Sequence, residues 1–394
     1  MDHAGPELES ISKGFRAVHA MLYRELGKTG IKVSVLGFGG LRFPMRDGHV
    51  IVDDAVDTIH RAFDLGVNFI DTAVGYCASE SEVVVGRALR DRRDQITLST
   101  KNNNHGNDPG VWRSVLENSM RKLGVDVIDL YNYHCISLNT FREWEKLDRS
   151  PIDEMYRAKD EGLIEHIGFS SHDKPENMIE LLETDIFETL ILQYNLLNTA
   201  NEKVITHANR KGIGIIVMGP VGGGRLAAPS SALMKIIDRP VASTAELALR
   251  FVISNPGVST ALSGMSDVEM VEENVATASD ESPLSREEKR QIEEALEEKK
   301  RLCDLYCTGC GYCMPCPNGV DIPGNFELVN YHRLYGLKDC AREKYASLGR
   351  KKVEDEVRPA WAEACIECGE CEDKCPQNIE IRSQLKEADS LLSG

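Results

Sequence analysis

An α/β chain, a (β/α)8 barrel followed by a small, mainly helical domain, is the fold class that this sequence predicts. Three observations predict it. Short apolar runs alternate with stretches of helical length eight times between residues 35 and 277, the pattern of parallel strands joined by crossover helices. Ionisable residues recur at the C-terminal ends of those runs, where a barrel gathers them at one mouth. Ten of the twelve cysteines lie from Cys303 onward, so the chain changes character there.

Taken in order, residues 1–20 read as an N-terminal extension without the apolar core of a secretion signal. The barrel is assigned to 21–282. Tyr23 to Leu36 alternates around Gly27-Lys28-Thr29-Gly30 and reads as a hairpin. Val35 to Gly39 is the first barrel strand. Helix 53–65, with Asp53 as its cap, leads to strand 67–71. Helix 79–90 leads to strand 95–100, helix 110–123 to strand 127–133, and helix 151–161 to strand 163–169. Helix 174–184 leads to strand 189–194, helix 200–211 to strand 213–218, and helix 243–253 to strand 258–262. Helix 267–277 closes the set. The competing fold, an open doubly wound sheet, calls for a Gly-rich fingerprint after the first strand with an acid about 20 residues on. Gly37-Phe38-Gly39-Gly40 lacks that spacing and reads as a tight loop at a barrel rim. Ser282-Pro283 opens a charged run, 283–302, that reads as a solvated linker helix. Residues 303–380 hold the cysteine motifs with helices 326–335 and 339–348 between them, and 381–394 is an amphipathic tail.

The net charge of −17 lacks the basic clusters of a nucleic-acid footprint and does not suit docking on an anionic membrane. No apolar run approaches the roughly 18 residues of a membrane-spanning helix. Clustered cysteines in an acidic chain point to metal ligation in a reducing compartment, the cytoplasm, rather than to disulfides.

The mouth of the barrel receives four residues. Asp71 ends one apolar run and Tyr76 follows it by five positions. Lys101 ends Leu98-Ser99-Thr100-Lys101, and His134 ends Asp129-Leu130-Tyr131-Asn132-Tyr133-His134. A phenol beside an ammonium is a proton-donating arrangement. Asp71, Tyr76, Lys101 and His134, each at a predicted strand end, resemble the catalytic tetrad of the aldo-keto reductase family over about residues 21–300. Gly86-Arg87-Ala88-Leu89, Ser119-Met120-Arg121-Lys122-Leu123-Gly124 and Gln193-Tyr194-Asn195 support the resemblance. It implies that Tyr76 protonates a carbonyl oxygen during hydride transfer, that Lys101 acidifies Tyr76, that Asp71 holds Lys101, and that His134 orients the carbonyl. Free tyrosine titrates near ~10, so a lowered pKa is expected for Tyr76.

The resemblance also implies a nicotinamide cofactor, NADH or NADPH. Ser170, His172 and Gln193 fall where the family holds the carboxamide. Met218, Gly219, Pro220, Gly222 and Gly224 fall along the ring and pyrophosphate. Ser263, Gly264, Met265, Glu273 and Asn274 fall at the adenosine end. His172 replaces a usual asparagine, Met218 stands where an aromatic ring is common, and residues 263–267 carry no cation for a 2′-phosphate. Cys77 and Cys135, beside tetrad members, read as packing residues. Arg42, Phe43, His105 and Trp112 lie in loops that would line a substrate pocket.

Cys365, Cys368, Cys371 and Cys375 form C-x2-C-x2-C-x3-C-P, the spacing of [4Fe–4S] ligation in bacterial ferredoxins. Cys307, Cys310, Cys313 and Cys316 repeat it, one residue short. The pair resembles a two-cluster ferredoxin of the helical type. In such domains the fourth cysteine of each motif ligates the other cluster. Cys307, Cys310, Cys313 and Cys375 therefore take one cluster, and Cys365, Cys368, Cys371 and Cys316 the other. Cys303 or Cys340 could stand in for Cys316.

The two halves raise a question of electron counting. A nicotinamide moves two electrons as a hydride, while a cluster moves one at a time. The sequence leaves three routes open: structural clusters beside ordinary hydride chemistry, a flavin in the barrel that converts between one- and two-electron steps, or clusters that pass electrons to a substrate or a redox partner protein. The enzyme reading is an oxidoreductase acting on a small carbonyl or alcohol. The alternative is an electron-transfer or redox-sensing protein that uses the barrel as a binding scaffold.

Overall fold

The structure is a computed structural model that describes residues 20–301, 307, 313–353, 356–375 and 379–394. Eight parallel strands close a barrel in chain order: β1 (Leu36–Gly39), β2 (Phe69–Asp71), β3 (Thr97–Asn102), β4 (Ile128–Tyr133), β5 (Ile164–Ser171), β6 (Thr189–Gln193), β7 (Gly214–Met218) and β8 (Thr260–Ser263). The last strand pairs with the first through Ala261 and Leu36, so no edge is left open.

The outer ring is α1 (Val52–Asp64), α2 (Ser81–Leu89), α3 (Pro109–Leu123), α4 (Pro151–Asp160), α5 (Pro175–Leu182), α6 (Glu202–Lys211), α7 (Thr244–Ile253) and α8 (Val268–Ala278). Several helices start on local signals visible in the chain. Ser150 and Asp153 form a reciprocal capping box before α4, and Ser243 and Asp267 cap α7 and α8. Asp53 does not cap α1. The cap position is Ile51, and Asp53 sits in the first turn, where its charge suits the helix dipole. The Gly86-Arg87-Ala88-Leu89 motif has a packing cause. A Cβ on Gly86 would stand 2.5 Å from the Leu123 carbonyl oxygen, so only glycine lets α2 lie this close to α3.

The predicted hairpin is present, Tyr23–Glu25 antiparallel to Lys32–Ser34. Its Leu26 and Val33 join Phe69, Leu130, Ile191, Ile216 and Leu262 in a separate apolar cluster. Arg24 donates to the carbonyls of Ile253, Asn255 and Val258, fixing the hairpin to the end of α7.

The charged run after residue 282 is corrected from a solvated linker to a docked helix, α9 (Arg286–Arg301). Ile292 and Leu296 are buried, Arg239 pairs with Glu288, and Lys289 donates to the Ser254 carbonyl. These two buried apolar residues lie four apart, a narrow stripe that composition hides.

Beyond it lie α10 (Ile322–Arg333), α11 (Lys338–Gly349) and α12 (Ile381–Leu392). The amphipathic tail is this last helix, with Ile381, Leu385, Ala388 and Leu392 buried. Two joints tie this module to the segment after β7. Ser230 Oγ donates to the Tyr335 carbonyl at 2.5 Å, and the Arg225 guanidinium lies 5.0 Å from the Tyr331 ring centroid. The apolar core runs without a break from the barrel's outer ring through both joints.

Candidate active site and cluster-binding residues

The pairing of β2 with β3 sets Asp71 opposite Ser99. Side chains alternate along a strand, so Lys101, two positions on, shares the Ser99 face. The Lys101 ammonium pairs with Asp71 Oδ2 and donates to the Thr72 carbonyl at 2.7 Å, while Ser99 Oγ donates to Asp71 Oδ1 at 2.7 Å. Both charged residues are 2% exposed. Lys101 Nζ lies 4.9 Å from the Tyr76 ring centroid. The Tyr76 and His134 rings meet edge to face, with centroids 5.9 Å apart. The structure thus brings all four predicted residues together, Asp71 and Lys101 beneath, Tyr76 and His134 half-buried above.

Local turns hold the upper pair. Cys77, Ala78 and Ser79 all adopt positive φ, a left-handed turn that carries the chain from Tyr76 into α2. Each such non-glycine residue costs ~1–2 kcal/mol. Cys77 is anchored by its thiol on the Leu41 carbonyl at 3.3 Å. His134 continues β4, donating its N–H to the Asn102 carbonyl at 2.9 Å. Cys135 follows at φ 55° and is exposed; its N–H donates to Ser170 Oγ at 2.8 Å.

Charge and burial act in opposite directions here. Burial alone would strip the proton from Lys101, but Asp71 and Tyr76 hold it, and the net direction is upward. The expected acidification of Tyr76 is corrected. Burial is the largest influence and pushes the phenol up; Lys101 pulls it down without prevailing. Tyr76 therefore keeps its proton throughout the neutral range. Burial, then the charge of Lys101, lowers His134 to about 4, so its imidazole is neutral.

Residues predicted to face a nicotinamide divide into several groups. Gln193 and Met218 pair at the ends of β6 and β7, half-buried at the mouth. Asn195 explains the Gln193-Tyr194-Asn195 motif: its side chain donates to the Gly219 carbonyl at 3.2 Å, tying two strand ends together. Gly219, Gly222, Gly223 and Gly224 all have positive φ; Pro220 is buried, and a Cβ on Gly224 would meet nothing within 4 Å. That open left-handed turn fits a phosphate backbone cradle. Ser263 Oγ accepts from Asn274 Nδ2 at 3.2 Å, and Gly264 lies under the stem of Arg42. Ser170 is engaged with Cys135, His172 stands exposed at the rim, and Glu273 is exposed. Met265 is fully buried in the core, so its side chain does not line the mouth.

Two of the expected pocket residues are corrected likewise. Trp112 is fully buried edge to face against Tyr131, and Phe43 packs on Phe38. Sequence reading missed Ser99 and Thr72, which complete the Asp71–Lys101 pair. The period-2 relation of Ser99 to Lys101 was the available signal.

In the C-terminal module, Cys313, Cys316, Cys365, Cys368 and Cys371 line one cavity. Cys316 lies beside the three cysteines expected to share its cluster, and Cys313, expected on the other cluster, lines the same cavity. The Glu367 N–H donates to Cys365 Sγ at 3.4 Å, and Glu367 and Gly369 turn back at positive φ between the cysteines. Thiolates at the edge of a cavity, one receiving a backbone N–H, fit an iron–sulfur cluster. Among the described residues no three His, Cys, Asp or Glu side chains converge on a single ion. A four-iron cube needs no such convergence, because each thiolate takes its own iron. Cys340 is on α11, away from that cavity lining, and Cys303 and Cys310 lie outside the described residues.

Comparison with known proteins agrees with both halves. Residues 35–297 match the aldo/keto reductase family model, and residues 306–380 match a 4Fe-4S dicluster domain. An uncharacterized oxidoreductase of Schizosaccharomyces pombe is 32% identical over 66% of this chain and 90% of its own. The L-galactose dehydrogenase of Arabidopsis thaliana is 28% identical over 71% and 95%. The NADH-specific methylglyoxal reductase of Escherichia coli is 28% identical over 69% and 98%. Among solved structures, an aldo-keto reductase from Bacillus halodurans in its holo form superposes with a TM-score of 0.61 at 28% identity, over 70% of this chain and 96% of its own. No helix among the described residues is long and apolar enough to cross a membrane. A closed barrel with a buried lysine–aspartate pair under a tyrosine and a histidine, followed by a cysteine-rich dicluster domain, makes this chain a member of the aldo/keto reductase family.

Proposed function

We propose that the barrel reduces a small carbonyl compound, or oxidises the corresponding alcohol, with Tyr76 as the general acid. The observation that carries this reading is the buried Lys101 ammonium, held by Asp71 and set 4.9 Å from the Tyr76 ring beside a neutral His134. In the reduction direction Tyr76 starts protonated and gives its proton to the carbonyl oxygen as negative charge develops there. Lys101 stabilises the phenolate left behind, and Asp71 keeps that lysine charged in a site where burial opposes it. A neutral His134 donates one N–H to the same oxygen without presenting a second cation. The wet and dry sides are separated by depth: Tyr76 and His134 meet substrate, while Asp71 and Lys101 stay out of water. A nicotinamide, NADH or NADPH, along Gln193, Met218 and Gly219 would supply the hydride. The two clusters, one of them on Cys316, Cys365, Cys368 and Cys371, would link the site to single-electron chemistry.

The test is Tyr76→Phe, assayed for carbonyl reduction with NADH and NADPH in protein purified without oxygen. The expected loss is ~10²–10⁴-fold in turnover. Turnover equal to that of the unaltered protein would reject Tyr76 as the acid, because the ring would be present without its hydroxyl.

A further inference from the structure

The turn that follows β7 is rich in glycine. Gly219, Gly222, Gly223 and Gly224 sit at positive φ. Three backbone bonds close the turn: Gly222 N–H to the Gly219 carbonyl at 2.9 Å, and the N–H groups of Gly224 and Leu226 to the Val221 carbonyl at 3.1 and 3.2 Å. Glycine loses more conformational freedom on ordering than any other residue, so a turn of this composition holds one shape poorly without outside support. The barrel supplies some of that support. Asn195 Nδ2 donates to the Gly219 carbonyl at 3.2 Å. Arg42, in the loop after β1, lays its stem over Gly264 and donates from Nη2 to the Gly223 carbonyl at 3.0 Å.

The iron–sulfur module supplies the rest, at the far end of the turn. Arg225 directly follows the last of these glycines, and its guanidinium lies 5.0 Å from the ring centroid of Tyr331 on α10. Its Nη1 donates to the Tyr331 hydroxyl at 2.5 Å and pairs with Glu327 at 3.4 Å, while that hydroxyl donates its own hydrogen to Glu327. Burial, then the charge of Glu327, pushes the Tyr331 phenol up, so it keeps the proton it donates. Further along, Ser230 Oγ donates to the Tyr335 carbonyl at 2.5 Å, and the Ser230 N–H donates to Thr244 on α7 at 2.8 Å. Leu226 and Leu233 are fully buried beside these anchors. The same α10 reaches the cysteines. Its first residue, Ile322, lines the cavity with Cys316, Cys365 and Cys371. At 1.5 Å per residue, Tyr331 stands about 13–14 Å further along the helix. One packed helix thus touches the cysteine cavity at one end and the anchor of the glycine turn near the other.

We propose that Arg225 is a positioning residue through which α10 clamps the glycine turn after β7, so that the affinity of the barrel for its dinucleotide is set by the docked iron–sulfur module. The proposal rests on the nicotinamide reading above and concerns the control of that site, since the Arg225 guanidinium is engaged by Tyr331 and Glu327 rather than by a ligand. A turn held in its binding shape before the ligand arrives leaves less ordering to be done on binding. The coupling is reciprocal: a clamp that favours the bound turn is itself favoured when a ligand fills the turn.

The experiment uses the full chain purified without oxygen, with iron content and visible absorption verifying that each protein is loaded. Tyr331→Phe keeps the ring and removes the hydroxyl that joins Arg225 to Glu327. Glu327→Gln removes the charge, and Glu343→Gln, at an exposed position on α11, is the control. The readouts are hydrogen exchange over residues 219–227 and dissociation constants for NADH and NADPH by calorimetry. One charge-assisted hydrogen bond shifts an equilibrium by about tenfold or more. Both joint variants should therefore speed exchange at Gly222, Gly224 and Leu226 and weaken dinucleotide binding by up to about tenfold, while Glu343→Gln matches the unaltered protein. Adding dinucleotide to the unaltered protein should slow exchange along α10, and this response should shrink in Tyr331→Phe, which a joint that only glues two domains together would not show. Unchanged exchange and affinity in both variants overturns the clamp, and faster exchange with unchanged affinity overturns its hold on cofactor binding. If neither dinucleotide binds the unaltered protein, the nicotinamide reading fails, while faster exchange in Tyr331→Phe still supports the clamp on the turn.

Discussion

Asp71→Asn keeps the shape of the side chain and removes its charge, which isolates the electrostatics beneath Tyr76. Lys101 is 2% exposed, and after the change its ammonium keeps the Thr72 carbonyl and the Tyr76 ring as polar neighbours. Removing one partner of a buried ion pair costs ~3–5 kcal/mol, because the remaining charge is stranded out of water. At about 2–4 °C per kcal/mol for a domain of this size, the melting temperature should fall by roughly 6–20 °C. Burial is the largest influence on Lys101, so without Asp71 its pKa should drop and the cation that steadies the Tyr76 phenolate should weaken. Thermal unfolding at neutral pH, followed by circular dichroism, reads the first effect; carbonyl reduction reads the second. The double variant Asp71→Asn with Lys101→Met removes the stranded charge as well. It should melt above the single variant while remaining inactive. Should Asp71→Asn melt with the unaltered protein, or the double variant melt below the single one, the account of a desolvated, mutually dependent pair would be wrong.

Other outcomes follow from the same geometry. Carbonyl reduction should stay level from neutral pH to about 10 and decline above it, since Tyr76 titrates above its ordinary ~10, whereas alcohol oxidation, which needs the phenolate, should rise with pH. On the acid side reduction should fall as pH drops through about 4, where His134 gains a proton; a midpoint near 6.5 would show a solvated imidazole. Gly86→Ala should destabilise the barrel by ~1–3 kcal/mol in denaturant titration, because its Cβ would strike the Leu123 carbonyl, and a neutral result would remove the packing reason for that glycine. Cys316→Ala should lower iron per chain and bleach the cluster absorbance, while Cys340→Ala should leave both intact; the reverse pattern would move the ligand to α11.

Much of the fold was legible because a barrel strand is short and apolar and each crossover helix carries its own start signal. The pattern from β1 to α8 needed only that periodicity. The short helix Leu138–Trp144, inserted after His134, was not foreseen, because seven residues barely complete two turns of a helical pattern. The docking of α9 was hidden by its charge, since the burial of Ile292 and Leu296 is enough to seat a helix whose other described residues are mostly charged.

The site divides along the same line. Asp71, Tyr76, Lys101 and His134 were set by sequence, because parallel strands deliver their C-terminal residues to one mouth whatever the detailed packing. The cysteine spacing was likewise sufficient, since a cluster demands thiolates at short fixed intervals. Tertiary structure alone decided how deep the phenol lies, and that depth turned its pKa upward against the pull of Lys101. It alone removed Trp112 and Met265 from the mouth, and it alone laid Arg42 across the loops that follow β7 and β8. Strand order is a local code written in periodicity. Burial and the company of charges are sums over the whole molecule, and no single stretch of sequence contains them.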